Sequence, residues 1–182
     1  MRRLRHNFQI FSYIFRGAGV APTKVFHMKL RILSVGHKMP AWVDAACGDF
    51  IKRMPRELSV EIMDLKPEKR AAGNSTENIQ LIEAKRIIEA AGKDYLIACD
   101  ERGADINTLQ LAGKLQHWQG LGRDVSIIIG GADGLHNSVK MQADFLWRLS
   151  LLTLPHAFVR VLLAEQLYRA HTININHPYH RE

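Results

Sequence analysis

The chain predicts an α/β fold: a mostly parallel β-sheet in one layer, flanked by helices. Three observations carry this. Short apolar runs alternate with segments of helical period along most of the chain. Two of the runs, Tyr95–Cys99 and Val125–Ile129, are apolar almost throughout, as strands covered on both faces are. A glycine cluster, Gly130, Gly131 and Gly134, follows one of them directly. At 182 residues, 47% hydrophobic and 24% charged, the chain has the size and make-up of one globular domain with a full core.

The elements follow in order. Leu30 to Gly36 reads as the first strand, and Pro40 opens a helix on which Trp42, Ala46 and Phe50 recur on one face. Leu58–Leu65 alternates as a second strand. The polar stretch Lys66–Thr76 reads as a mobile loop, either a solvated connector or a segment ordered by RNA. A helix spans about Glu77–Ala91, with Leu81, Ala84, Ile88 and Ala91 as its stripe and Gly92 beyond its end. After strand Tyr95–Cys99, Asn107 or Thr108 caps a helix carrying Leu111, Leu115 and Trp118, closed by the turn Gly120–Gly122. After strand Val125–Ile129, Asn137 or Ser138 starts a short helix. Trp147–Leu154 is expected as a third central strand, and Phe158–Ala170 as the last helix. Trp42, Trp118 and Trp147 are expected in the core.

The net charge of +7 is unevenly spread. Residues 1–27 hold five basic side chains and no acid, which leaves a surplus of only two for the remainder. A basic body is absent, so nucleic-acid binding has to rest on local clusters such as Lys66, Lys69 and Arg70. Residues 1–27 fit either an organelle transit peptide or an extension preceding a true start at Met28. We favour the extension, disordered or loosely attached, with the working domain at 28–182. No apolar run approaches membrane-span length. Cys47 and Cys99 sit in apolar sequence, as buried thiols of a reducing, cytoplasmic compartment do. The pair His177 and His180 lacks the carboxylates or cysteines a metal site needs.

Parallel sheets bind ligands beyond the carboxyl ends of their strands. Three such ends stand out: Cys99–Asp100, Ile129–Gly130–Gly131 and Leu152–Thr153–Leu154–Pro155. The glycines match neither a dinucleotide fingerprint nor a phosphate loop, and alone they read as a tight turn. The chain then closes on His177-Pro178-Tyr179-His180-Arg181-Glu182, dense in groups that donate, accept or carry charge.

These residues together resemble the RlmH family, SPOUT-class methyltransferases of bacterial large-subunit ribosomal RNA. The resemblance is carried by Gly130-Gly131-x-x-Gly134-Leu135, Leu149-Ser150-x-x-Thr153-Leu154-Pro155-His156, Glu165-Gln166-Leu167-Tyr168-Arg169-Ala170 and the closing hexapeptide. Val35-Gly36-x-Lys38-Met39-Pro40-x-Trp42-Val43 extends it, and it spans Met28–Glu182 without a break. It implies a C-terminal trefoil knot, a homodimer, and S-adenosylmethionine as cofactor. The implied reaction is methylation of N3 of a pseudouridine in a ribosomal stem-loop. Carried over by position, the cofactor contacts are Cys99, Gly130, Leu149, Ser150, Leu151, Leu152, Thr153 and Leu154. Cys99 stands where a leucine is expected in relatives.

The implied chemistry gives the tail a task. Uracil N3–H is weakly acidic and must lose its proton as it attacks a sulfonium methyl. Arg181, a permanent forked cation, suits the developing anion. Tyr179 suits stacking or hydrogen bonding to the base, and His156, His177 or His180 can take the proton. Arg181, His156 and Tyr179 are the catalytic candidates. His156 also has a plain structural alternative, a hydrogen bond to a backbone carbonyl at the turn. Glu165, Tyr168 and Arg169 read as a structural or dimer-face network. Two readings from other classes stay open, a SPOUT enzyme acting on another RNA and a ribosome-associated binder without activity.

Overall fold

In the computed structural model, residues 27–71 and 73–180 are described. The expected extension, save His27, and the candidate Arg181 therefore lie outside the described residues. Strands and helices alternate strictly: β1 (Met28–Val35), α1 (Ala41–Ile51), β2 (Leu58–Leu65), α2 (Thr76–Ala91), β3 (Tyr95–Asp105), α3 (Thr108–Gln119), β4 (Val125–Ile129), α4 (Asn137–Gln142), β5 (Phe145–Arg148) and α5 (His156–Asn174).

The strands form one parallel sheet in the order β2-β1-β4-β3-β5. β4 sits at its centre with all five residues buried, which explains its unbroken apolar sequence. Alternate residues of β1 serve opposite faces. Leu30 and Ile32 join Leu111, Leu115, Trp118, Leu163 and Leu167 in the larger core beneath α3 and α5. Leu33 and Val35 join Ala84, Ile87 and Val139 beneath α2 and α4. The α2 stripe is therefore Ile79, Ala84, Ile87 and Ala91, and the expected Leu81 is exposed.

Capping chemistry marks the helix starts. Ser75 Oγ accepts from Asn78 N, and Asn107 with Gln110 completes a reciprocal capping box. α4 starts at Asn137 as expected, capped by His136, whose Nδ1 accepts from Ser138 N at 3.1 Å.

Two expectations are corrected. The run Trp147–Leu154 is not a third central strand: β5 holds four residues and lies at the sheet edge. Its ladder ends at Arg148, whose guanidinium pairs with Asp105, and Ser150 Oγ then accepts from Leu152 N at 2.8 Å and bends the chain away. The apolar run beyond Arg148 lacks a neighbouring strand to pair with. The α1 face is also shifted by one residue. Val43 and Cys47 are buried against Ala164 of α5, while Trp42 is 49% exposed and rests on Phe158 with ring centroids 5.7 Å apart.

β3 runs past its expected end at Cys99. Its register against β5 breaks between Cys99 and Ala104, so residues 100–103 bulge. Gly103 sits there against the Trp147 backbone; a β-carbon on it would lie 2.6 Å from Trp147 N and C.

Residues 66–70 of the connector are tied down on α2 and the glycine turn. Arg70 pairs with Asp133 at 2.7 Å, Arg86 donates to Lys66 O at 2.8 Å and pairs with Glu68, and Glu68 N donates to Glu83 Oε1 at 2.9 Å.

Candidate functional site

The sheet order dictates where a cleft opens. β1 leads into α1 on one face, whereas its neighbours β2 and β4 lead into α2 and α4 on the other. Diverging connections leave a crevice at the carboxyl ends of such strands. A cleft of about 660 Å³ lies there, lined by Gly36, Lys66, Lys69, Gly131, Glu83 and His156 among others.

Its charges are only partly compensated. Glu68 and Asp133 are engaged by Arg86 and Arg70, and Glu83 accepts the Glu68 backbone. Lys66 and Lys69 bring positive charge to the same wall. The local basic cluster expected from the sequence is thus assembled beside the glycine turn.

The glycines serve the turn itself. Gly134 has φ +79, where a β-carbon is disfavoured, and its N–H bonds Gly131 O at 2.9 Å. A β-carbon on Gly130 would meet Leu135 Cγ at 2.9 Å, so its Cβ side is filled by the chain.

Among the described residues, His156 is the one catalytic candidate that lines the cleft. It opens α5 after Pro155, half-buried. Burial lowers its pKa, the Arg160 charge lowers it further, and a hydrogen bond with the Gly131 backbone acts the other way. The imidazole thus favours its neutral form and bonds the glycine turn through the Gly131 backbone.

Tyr179 lies elsewhere. Its hydroxyl donates to Glu165 Oε1 at 3.1 Å, its ring meets Tyr168 edge-on at 4.8 Å, and Arg169 lies over it. The expected Glu165–Tyr168–Arg169 network is therefore present and holds the tail. Glu165 is nine residues beyond His156, about 13 Å along a helix. One chain does not bring Tyr179 and His156 together. His177 Nδ1 accepts from Tyr179 N at 3.2 Å, and both ring nitrogens of His180 are buried without a partner.

Most of the expected cofactor residues lie toward the other edge of the sheet, at the carboxyl ends of β3 and β5, with Gly130 following β4 beside the cleft. Cys99 pairs with Trp147 in the ladder, and burial pushes its thiol up to about 12, so it offers a neutral wall. Leu149 and Leu154 pack on the larger core, while Leu151 and Leu152 are 81% and 75% exposed. Nearby, burial raises the Asp100 pKa, but its 2.6 Å ion pair with Lys140 and the Arg102 N–H outweigh it and hold the carboxyl low.

Comparison with known proteins decides the family. Residues 28–180 match the family described as "Predicted SPOUT methyltransferase". The chain belongs to the SPOUT methyltransferase family. Two curated relatives carry the name "Ribosomal RNA large subunit methyltransferase H". That of Methylobacillus flagellatus is 63% identical over 155 residues, covering 85% of this chain and 100% of the relative. That of Paraburkholderia xenovorans is 56% identical, covering 85% and 99%. A probable methylase family protein from Haemophilus influenzae Rd KW20 superposes with a TM-score of 0.52 at 13% identity, covering 84% of this chain and 67% of its own. A probable methyltransferase from Bordetella pertussis Tohama I gives 0.51 at 15%, covering 79% and 95%. At such identities the likeness concerns the fold alone, and the parallel five-stranded sheet flanked by helices is the SPOUT architecture.

Among the described residues of this SPOUT chain no helix is long and apolar enough to cross a membrane, and no cluster of His, Cys, Asp and Glu is arranged to hold a metal. Sequence reasoning missed two residues. Arg160 is 2% exposed within the apolar run of α5, and a lone charge in such a run was the available signal. Gly103 gave no signal, because its role depends on a bulge.

The histidines give this SPOUT domain an acid limit. Burial lowers both His156 and His171 below the ordinary 6.5. Between the lowered folded values and 6.5 the unfolded chain binds more protons, so that contribution to stability is full above 6.5 and falls as pH drops through the window. Urea midpoints measured at neutral pH and near pH 5 should decline on the acid side. The decline should shrink in a His171→Gln variant, and an unchanged slope would rule out His171 as a contributor.

Proposed function

We propose that this protein transfers the methyl group of S-adenosylmethionine to N3 of a pseudouridine in large-subunit ribosomal RNA. The observation that carries the reading is the 63% identity, over the whole length of the relative, to a protein named as a large-subunit ribosomal RNA methyltransferase. Lys66 and Lys69 on the wall of the cleft beside the glycine turn support an RNA substrate.

The residues at the β3 and β5 ends fit the cofactor. An uncharged Cys99 thiol, apolar Leu149 and Leu154, and the backbone of Ser150–Leu154 outside the ladder offer what a purine ring needs: apolar walls and backbone polar groups outside the sheet. Leu151, Leu152, Thr153 and Gly130 complete the set by position. Bound S-adenosylmethionine supplies an electrophilic methyl group.

This chain's residues do the rest. Arg181 stabilises the developing pyrimidine anion, and Tyr179 orients the base. With His177 Nδ1 engaged by the tail backbone, proton acceptance rests with His156 or His180. His156, favoured neutral by burial, is ready to accept at neutral pH.

The homodimer belongs to the same reading. His156 and Tyr179 are apart in one chain, and a partner laying its tail across the 149–154 loop closes the gap. Exposed Leu151, Leu152 and the Trp42–Phe158 pair give that partner an apolar surface to cover. The trefoil knot, a catalytic domain at 28–182 preceded by an extension, and a cytoplasmic place beside ribosomes complete the proposal.

Two measurements test it. Calorimetric titration with S-adenosylmethionine should show binding, and its absence would leave the non-catalytic binder. Mass analysis of ribosomal RNA from a deletion strain should show a pseudouridine lacking one methyl group. An unmodified profile identical to the parent strain would move the substrate to another RNA.

A further inference from the structure

Arg160 carries a forked edge that no described residue occupies. Its Nη1 pairs with Asp64 Oδ1 at 2.6 Å, while Nε and Nη2 are buried without a partner among the described residues. Those two nitrogens form the side-on fork of a guanidinium, the edge that grips two oxygens at once. At three other arginines that edge is filled. Arg148 presents Nε and Nη2 to Asp105, Arg31 to Asp94, and Arg169 to Glu165. A buried donor pair left open is costly, so an open fork at 2% exposure points to an absent anion.

The surroundings give the fork an entrance. A β-carbon on Gly36 would lie 3.9 Å from Arg160 Nη2 and 3.8 Å from His156 Nδ1. Gly36 and His156 both line the basic cleft, with Lys66 and Lys69 on the same wall. The cleft's own carboxylates are engaged by Arg70, Arg86 and the Glu68 backbone.

We propose that the Nε–Nη2 edge of Arg160, framed by Gly36 and His156, receives one phosphodiester of the RNA strand that enters the cleft. This rests on the ribosomal RNA reading above and adds to it a backbone-gripping site on the β1 side, separate from the β3–β5 ends assigned to the methyl donor. A phosphodiester matches the site's parts: two non-bridging oxygens for the fork, and lysines at the mouth for the flanking phosphates.

Two variants test it. Gly36→Ala adds a methyl at ordinary contact distance, which fills the approach to the fork and leaves the fold intact. Arg160→Lys keeps the charge and removes the fork. For each, the His156 imidazole resonances are followed by NMR on adding inorganic phosphate, and affinities are measured for isolated large ribosomal subunits and for S-adenosylmethionine. The wild-type protein should show a phosphate-dependent shift that both variants lose. Subunit affinity should fall about tenfold or more in both, with donor affinity within twofold.

A shift retained by both variants overturns the proposal. So does a loss of donor affinity in both, which would make the fork a carboxylate site for the donor. If the wild-type protein shows the Arg160-dependent shift but binds no ribosomal subunits, the anion site stands and the ribosomal substrate falls.

Discussion

Replacing Gly103 with alanine will detach the edge of the sheet. The new β-carbon would stand 2.6 Å from Trp147 N and C, and 2.7 Å from Arg148 N. These are backbone atoms, so no rotamer change relieves the clash. Either the bulge at residues 100–103 or β5 must move. If β5 moves, Trp147, which is buried in the larger core, and the Arg148–Asp105 pair move with it. Overpacking alone costs about 1–3 kcal/mol, and added loss of a buried tryptophan raises that toward about 4 kcal/mol. Denaturant unfolding checks the number, and a loss under about 1 kcal/mol would mean the bulge yields freely. The 149–154 loop continues directly from β5, so affinity for S-adenosylmethionine should fall in the same variant even where it remains folded.

Arg181→Ala should reduce methyl transfer on the order of a thousandfold, the scale seen when one preorganised partner of a developing anion is removed. Affinity for S-adenosylmethionine should stay within a few-fold, because the proposed task arises only as N3 gains charge. Arg181→Lys should recover little, since a point charge lacks the fork that reaches a ring carbonyl and its neighbour together. Single-turnover transfer of labelled methyl to ribosomes measures the first effect, and calorimetry the second. Loss of cofactor binding instead would show that the tail builds the donor pocket.

The sheet was legible wherever burial on both faces writes a continuous apolar run. β3 and β4 announced themselves so, and Asn107 announced α3 through its capping box. Reading failed where pairing, not composition, decides. Leu149–Leu154 is as apolar as a strand, yet no neighbour offers it a ladder beyond Arg148. The phase of α1 was read one residue off because Trp42, the largest apolar side chain there, packs on Phe158 at the surface and not in the core.

The site was half legible. Position-by-position resemblance named the 149–154 loop, His156 and the tail, but residue types alone carry no distances. The separation of His156 from Tyr179 appears only once α5 is seen to hold both, one at its start and one through Glu165 and Arg169. Arg160 was overlooked because its importance lies in an unmade bond.

That shared helix carries a consequence for how the protein can change. Its first turns set the imidazole and the open guanidinium, and its later turns moor the C-terminal tail. Inserting one residue between Arg160 and Glu165 would rotate one group against the other by about 100° and shift it about 1.5 Å. Both ends would lose their partners in a single step. Length variation should therefore be excluded from this helix while the surface turn at Gly120–Gly122 accepts it, making α5 the vernier on which the working parts are gauged.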